Sequence, residues 1–200
     1  MTSTQAKILA TAVSALPGAV LVAAGFGQLA KASKNIKDAK GDLVPAAETV
    51  KQYAPEVYVA TNMDDIQKSN LSAFKKLLLN TLYSKSIRKA FDGENAYYIP
   101  SPKSPIIISP KMVNKSIIGH EMGHHIEAGK RRFSVLDSVL NSRSENRAWE
   151  SSPFRSETDE DLRRNALETY KGSDKIMLGG LSAGIGAYLL PSLILKAFRK

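Results

Sequence analysis

Two long apolar stretches lie near the ends of this chain. Residues 8–30 carry no charged side chain, and neither do residues 176–195. A helix needs about 20 mostly apolar residues to cross the hydrocarbon core of a bilayer. We therefore predict a membrane helix at each end, with a kink near the proline in each stretch, Pro17 and Pro191.

Two other interpretations fit the same stretches. The first stretch also resembles a secretory signal, with Lys7 at its basic end and small residues near Ala23 and Ala24. Both could instead form a buried helical hairpin in a soluble assembly. Gly180 and Gly184 have the GxxxG spacing that lets helices approach closely, which predicts helix–helix self-association at this face.

Between the ends, the hydrophobic pattern predicts alternating helices and short strands. Residues 45–53 predict a short helix, and residues 57–60 predict a strand. Leu71, Phe74, Leu78 and Leu82 recur every three or four residues, which predicts one core-facing helix that is capped by Ser69 or Ser72 and runs towards Phe91. Residues 96–99 and 106–108 predict a hairpin or edge strand around a proline-bearing turn. The pair Ser109 and Pro110 predicts a helix start, and Gly129 its end.

Composition limits the chemistry. Two hundred residues with 43% hydrophobic content suit one catalytic domain, and the absence of cysteine excludes disulfides and thiolate metal sites. The formal charge of +9 favours an anionic partner. We expect a lipid bilayer rather than nucleic acid, because the basic residues follow the apolar stretches and lack interleaved aromatics. These residues are Lys31, Lys34, Lys37, Lys40, Lys196, Arg199 and Lys200.

The same lysines suggest a topology. Four of them lie between the first apolar stretch and the middle of the chain, against Lys7 on the other side, which by the positive-inside rule predicts a cytoplasmic central domain. The basic tail after residue 195 opposes this orientation. We expect a two-span membrane protein with its central domain on the cytoplasmic side.

All three histidines fall within the run HEMGHH at residues 120–125. On a helix, His120 and His124 project from one face, one turn apart, and can share one tetrahedral zinc ion. Glu121 lies beside that face, where it could take a proton from a water molecule on the metal and act as general base. His125 points about 100° away by the helical period and should not join the same ion.

A catalytic zinc site needs a third protein ligand, and without a further histidine it must be a carboxylate. The run SENRAWESSP offers Glu145 and Glu150 on a short helix that ends before Pro153. Glu127 lies too close to His124 along the same helix to fold back over the ion. Glu145 is preferred because Ala148 gives its helix a small, close-packing face, and Glu150 is the alternate.

The sequence resembles the gluzincin zinc metallopeptidases, most of all the membrane-associated HtpX and CAAX-protease group. The resemblance rests on NAYYIP with IIIS, on HEMGH and on ENRA, within residues 95–150. It implies zinc (Zn2+) on His120, His124 and Glu145, and Glu121 as general base. It also implies a polypeptide substrate added as a β-strand along the edge strand that contains Tyr97, Tyr98 and Ile99.

The chain departs from that group at two positions. Trp149 stands where the group has an acidic residue that supports a zinc histidine, and the group's downstream histidine has no counterpart. Arg147, Arg155, Arg163 or Tyr170 could take over the oxyanion-stabilising role of that histidine.

The prediction is an α+β protein: a mostly helical, zincin-like metallopeptidase domain with a small sheet, flanked by N- and C-terminal transmembrane helices. Its parts are a membrane helix at 1–30, a basic linker and short helix at 31–55, the peptidase domain at 56–172, and a membrane helix with basic tail at 173–200. We expect a membrane-anchored endopeptidase. The alternative is a membrane-embedded structural or pore-forming protein with a degenerate or purely structural zinc site.

Overall fold

The structure, a computed structural model, describes residues 3–37, 41–93, 95–101, 104–130 and 141–197. Within these ranges the helices are α1 (Ser3–Lys37), α2 (Ala46–Tyr53), α3 (Met63–Lys68), α4 (Ala73–Thr81), α5 (Ser84–Phe91), α6 (Lys115–Gly129), α7 (Asn141–Glu150) and α8 (Glu160–Ala197), with a 3-10 turn at Arg155–Glu157. The strands are β1 (Leu43–Pro45), β2 (Tyr58–Ala60), β3 (Tyr97–Ile99), β4 (Ile106–Ile108) and β5 (Met112–Asn114). The predicted α+β class, mostly helical with small sheets, is confirmed.

The described residues form two compact units. One unit is drawn from residues 1–38, 138–142 and 164–200, and the other from residues 39–137 and 143–163. The lysine at position 40 and the last residues of the basic tail, 198–200, lie outside the described residues.

The unit that holds the histidines is organised around strand β4. Within the described ranges, β4 lies between β2, which runs parallel to it, and β3, which runs antiparallel. Its side chains Ile106, Ile107 and Ile108 are fully buried. A continuous apolar strand is expected where both faces of a sheet are covered. Strands β1 and β5 form a separate antiparallel pair beside the start of α6.

The two faces of this sheet carry two different cores. Successive side chains of a strand point to opposite faces, and accordingly Ile107 packs with Val50, Ile118 and Met122 of helices α2 and α6. Ile106 and Ile108 pack on the other face, in a cluster with residues of α3, α4 and α5. The sheet therefore separates α6, the helix that carries the histidines, from the α4–α5 side.

The strands predicted at 57–60, 96–99 and 106–108 are confirmed as β2, β3 and β4, and β3 lies at an edge of its sheet in the described part of the chain. The single helix predicted from Ser69 or Ser72 towards Phe91 is wrong. Ser72 does cap a helix, since its hydroxyl accepts from the Lys75 N–H, but that helix stops at Thr81 and α5 begins at Ser84.

Only part of the predicted core face is buried. At the break, the Tyr83 N–H bonds back to the Leu78 carbonyl instead of extending the helix. Phe74 and Leu82 are 68% and 75% exposed, whereas Leu71 and Leu79 are buried. Spacing of three or four residues predicts a continuous face only as long as the helix itself is continuous.

The predicted helix start at Ser109 and Pro110 is also wrong. Residues Met112–Asn114 first form β5 by pairing with β1, and α6 begins only at Lys115. The Asn114 side chain caps α6 by accepting from the Ser116 N–H, a role for which asparagine is well suited. The helix ends at Gly129 as predicted.

The other unit contains the antiparallel helices α1 and α8. Gly18 lies against Gly179 and Ala183, and Gly25 lies against Gly172 and Ile176, so small residues allow close backbone approach. The apolar stretch predicted as the second membrane helix continues a helix that already begins at Glu160, so Glu160–Ala197 form one helix of 38 residues. In the described structure nothing lies within 4 Å of a Cβ placed at Gly180 or Gly184, so the predicted self-association face is not used by α1.

One helical segment in the described residues is long and apolar enough to cross a bilayer. It covers Ala15–Ala32 of α1, and a signal sequence or the core helix of a soluble protein would pass the same test. The predicted second span, residues 176–195, is helical throughout, and the side chains of its residues 185–195 lie outside the described part of the structure.

Gly123 provides a test of the packing between α6 and α7. A Cβ at this position would overlap the Ala148 carbonyl oxygen, so Gly123→Ala must push α7 away. We expect the free energy of unfolding to fall by about 1–3 kcal/mol, the usual cost of overpacking. Chemical denaturation followed by circular dichroism measures this change.

The matched control is Gly129→Ala in the same helix, because no described atom lies within 4 Å of the added Cβ. This variant should be as stable as the wild type or slightly more stable, since alanine favours helix. Equal denaturation midpoints for the two variants would contradict the close contact of α6 with α7.

Candidate metal centre

Helix α6 presents the two histidines of the predicted site on one face. The ring centroids of His120 and His124 are 4.6 Å apart, with the ring planes inclined at 74°. His120 is buried and His124 is partly buried. The i, i+4 spacing thus brings the two imidazoles together at the mouth of the site, as the sequence predicted.

Helix α7 brings the third side chain to the same point. Glu145 Oε2 lies 2.9 Å from His120 Nε2 and 3.2 Å from His124 Nε2. The three candidate ligand atoms all lie within 4.8 Å of one another, and no other such group of histidine and acidic side chains is found among the described residues. This arrangement depends on Gly123 and Ala148, where α6 and α7 approach without intervening side chains.

The spacing of these atoms suits a tetrahedral ion. Ligands about 2.0–2.1 Å from a zinc ion, at tetrahedral angles, are about 3.3 Å from each other. The two nitrogen–oxygen separations of 2.9 and 3.2 Å are close to that value. Two imidazoles and one carboxylate are also a usual donor set for catalytic zinc, which keeps a further position open. The residues therefore fit the group that the sequence implied.

The electrostatics of the three side chains are strongly coupled. Burial by itself would raise the pKa of Glu145, but hydrogen bonds and charge from His120 and His124 lower that pKa to about 2. Burial by itself would lower the pKa of His124, but its hydrogen bond to Glu145 and the nearby carboxylates raise it. Glu145 is therefore held as a carboxylate, the form that binds a cation.

Glu121 lies beside this group and contacts the edge strand. Its Oε2 accepts a hydrogen bond of 2.6 Å from the Tyr98 N–H. Burial raises the pKa of Glu121, and the charges of His120 and His124 partly oppose this rise. Glu121 is thus a buried acidic group that contacts β3 and lies near enough to His120, His124 and Glu145 for their charges to affect its pKa.

The outer edge of β3 has few backbone donors. The Tyr98 N–H points away from β4, since it is bonded to Glu121. The Ala96 N–H bonds the Asn95 side chain, and Pro100 has no N–H. Natural sheets limit the pairing of exposed edges in such ways. A peptide strand that paired here would meet the Tyr98 carbonyl and would compete with Glu121 for the Tyr98 N–H.

His125 does not join the group. Its Nδ1 lies 3.2 Å from the Tyr98 hydroxyl, and its Nε2 lies 2.5 Å from Glu56 Oε1. The Tyr98 ring is also parallel to the His124 ring, at a centroid distance of 6.5 Å. His125 therefore links β3 to the segment before β2.

The alternate ligand Glu150 lies elsewhere on α7. Its carboxylate pairs with Arg155 and Arg163, which both also pair with Glu160. Glu127 is bonded to Lys130 and Ser151 and lies near Arg147. Of the four residues suggested for oxyanion stabilisation, the three arginines are thus each paired with an acidic side chain. The structure does not bring Glu150 to the histidines.

Trp149 occupies the place of the acidic residue expected beside a zinc histidine. Its ring lies against His120, with ring centroids 4.4 Å apart and planes inclined at 31°. His120 Nδ1 is buried, and it has no hydrogen-bond partner among the described residues. The site therefore has the ligand side chains of the implied centre but supports His120 by ring stacking instead of a hydrogen bond.

Comparison of the chain with protein-family models, with curated protein sequences and with solved structures gave no match. Inference about function therefore rests on the geometry of the site.

Sequence reasoning did not find two of these contacts. Glu56 precedes β2 by only two residues and reaches His125 from a distant part of the chain, 69 residues away. Glu121 accepts from a backbone N–H, a contact that no side-chain pattern encodes. The only sequence signal for either was the placement of the tyrosine-rich segment on an edge strand.

The two glutamates of α7 provide a matched test of the metal site. Glu145→Gln removes the negative charge between His120 and His124, so we expect zinc affinity to fall at least about tenfold. Glu150→Gln alters only an exposed cluster of ion pairs and should bind zinc like the wild type. Zinc titration against a competing chelator measures both. Equal affinities for the two variants would place the ion elsewhere.

Proposed function

We propose that this protein is a zinc-dependent endopeptidase. The observation that supports this most strongly is the convergence of His120, His124 and Glu145 on one point, with Glu121 beside it and bonded to an edge strand. A ligand set alone could serve a structural ion. A buried carboxylate beside that set and bonded to the edge strand β3 is what hydrolysis of an extended peptide requires.

Zinc held by the three side chains would supply Lewis acidity, which lowers the pKa of a water molecule and polarises the scissile carbonyl. Glu121 would take the proton from that water as it attacks the carbonyl carbon, and the proton would then pass from the Glu121 carboxyl to the leaving amine as the peptide bond breaks. Water is consumed and no covalent intermediate with the protein forms.

The peptide would lie along the outer edge of β3. Main-chain hydrogen bonds to the strand give such binding affinity without regard to side chains. The Tyr98 carbonyl is the acceptor that the strand offers at its middle residue. Tyr98 and its neighbours Tyr97 and Ile99 therefore remain the proposed substrate-binding segment.

We further propose that the protein is held at a bilayer by its terminal helices. The apolar segment Ala15–Ala32 carries Val20 and Phe26, which are 61% and 58% exposed, and α8 exposes Leu178 and Leu181. Exposed large apolar side chains on a long helix are stable when they face lipid. Lys34 and Lys37 at the end of α1, and Lys40 after it in the sequence, follow this apolar segment and would place the site on the cytoplasmic side.

One observation favours the other candidate, a membrane-embedded structural protein whose zinc site is degenerate. His120 Nδ1 lacks a hydrogen-bond partner in the described structure, and such partners normally raise metal affinity. The two functions differ in whether Glu121 matters, because a structural site needs the three ligands but not the neighbouring carboxylate.

Replacing Glu121 separates the two functions. Glu121→Gln keeps the shape and the metal ligands but cannot accept a proton, so cleavage of an unfolded protein substrate should fall by about 10²-fold to 10⁴-fold. Metal analysis should show the same amount of bound zinc in this variant as in the wild type. Glu127→Gln, which changes another glutamate of α6 that is bonded to Lys130, serves as the control with normal activity. Activity that persists in Glu121→Gln, or a wild type that binds zinc without cleaving, would contradict the peptidase.

Membrane attachment is tested by placing charges on α1. Lysine near the centre of a membrane helix costs about 2.5–3.5 kcal/mol of insertion free energy, so Val20→Lys with Phe26→Lys should release the protein from liposomes in a flotation gradient. Val20→Leu with Phe26→Leu keeps the apolar surface and should float like the wild type. A wild type that stays at the bottom of the gradient would support the soluble hairpin.

A further inference from the structure

A cavity of about 520 Å³ lies on the opposite face of the sheet from the candidate metal centre. Leu78, Leu79 and Ile87 of helices α4 and α5 form one wall, and Tyr97 and Ile99 of β3 form the other. No acidic side chain lines it, and Lys75 at its rim is bonded to the Pro100 carbonyl at 2.5 Å. The described walls are therefore almost entirely apolar.

The cavity and the metal centre share strand β3. The Tyr98 side chain points to the face that holds His124 and His125, whereas its neighbours Tyr97 and Ile99 point to the cavity. Residues of the edge strand β3 line the cavity and residues of β2 and β4 do not, so the cavity lies at the edge-strand side of the sheet. The same edge carries the Tyr98 N–H that contacts Glu121.

A peptide on that edge would extend the alternation of the sheet. Side chains of an added strand also point alternately to the two faces. When one residue of the peptide points towards Glu121 and the candidate ligands, its neighbours point towards α4 and α5. The cavity is large enough for a leucine or phenylalanine side chain, and it offers such a side chain an apolar surrounding.

We propose that this cavity is a specificity pocket, which selects substrates with a bulky apolar side chain on a residue next to the one facing Glu121. The proposal rests on the peptidase function proposed above. Burial of a leucine or phenylalanine side chain should strengthen binding about 10-fold to 100-fold over glycine at the same position.

The test uses a set of ten-residue fluorescent peptides of glycine, serine and threonine, each with a single phenylalanine at a successive position. Their affinity is measured by anisotropy on zinc-loaded Glu121→Gln protein, which should not cleave them, and their cleavage is measured with the wild type. Peptides with phenylalanine at one or two of these positions should bind 10-fold to 100-fold more tightly than a control peptide that has glycine in place of the phenylalanine.

Ser86→Trp fills the cavity, because Ser86 lines it from an exposed position on α5. This variant should lose the phenylalanine preference but still bind the glycine peptide. Lys85→Trp adds the same ring at an exposed neighbour that does not line the cavity, and it should keep the preference. Thermal melts of both variants establish that they are folded.

The outcomes separate the two proposals. A phenylalanine preference that is lost only in Ser86→Trp supports the pocket, even if the wild type cleaves no peptide, in which case the peptidase function alone fails. Cleavage with equal affinity for all peptides, or a preference unaffected by Ser86→Trp, overturns the pocket and leaves the peptidase function standing.

Discussion

The close contact between α6 and α7 at Gly123 is the constraint on which the site depends. Glu145 reaches His120 and His124 only because no side chain at residue 123 holds the Ala148 backbone away. A glycine inside a helix costs about 1 kcal/mol of helix stability relative to alanine. The cost is offset where the helices meet, since the same contact buries Ala148 and Trp149 and places Trp149 against His120.

This contact buries ionisable side chains, and each of them therefore needs a hydrogen-bond or charge partner within the site. Glu121 and His120 are both buried, and an unpaired charge in such a place is strongly unfavourable. Glu145 accepts from both histidines, and Glu121 accepts from the Tyr98 N–H, so each carboxylate has a partner. The arrangement holds acidic groups close together before any ion binds, which favours a cation once it arrives.

Local patterns predicted the parts of the fold that local interactions determine. Strands β2, β3 and β4 and the end of α6 at Gly129 follow from apolar runs and a helix stop, and the pairing of His120 with His124 follows from helical spacing. The errors arose where a distant segment decides. Residues Met112–Asn114 form a strand because they pair with β1, a segment distant in the chain: Val44, for example, pairs with Val113, 69 residues later. Glu145 and Glu150 lie on the same helix; the sequence favoured Glu145 because of Ala148, and the packing of α7 against Gly123 brings Glu145 to the histidines.

Trp149 determines how His120 is supported in this site. If His120 Nε2 is to bind a cation, its proton must reside on Nδ1, which is buried without an acceptor in the described structure. A buried donor left unpaired costs about 1–3 kcal/mol, so a site supported by a tryptophan ring should hold zinc more weakly than one supported by a carboxylate. The stacked ring still fixes the imidazole in place. In the proposed site, ring stacking would thus preserve the geometry of the ligands, whereas the unpaired Nδ1 would lower their affinity for zinc.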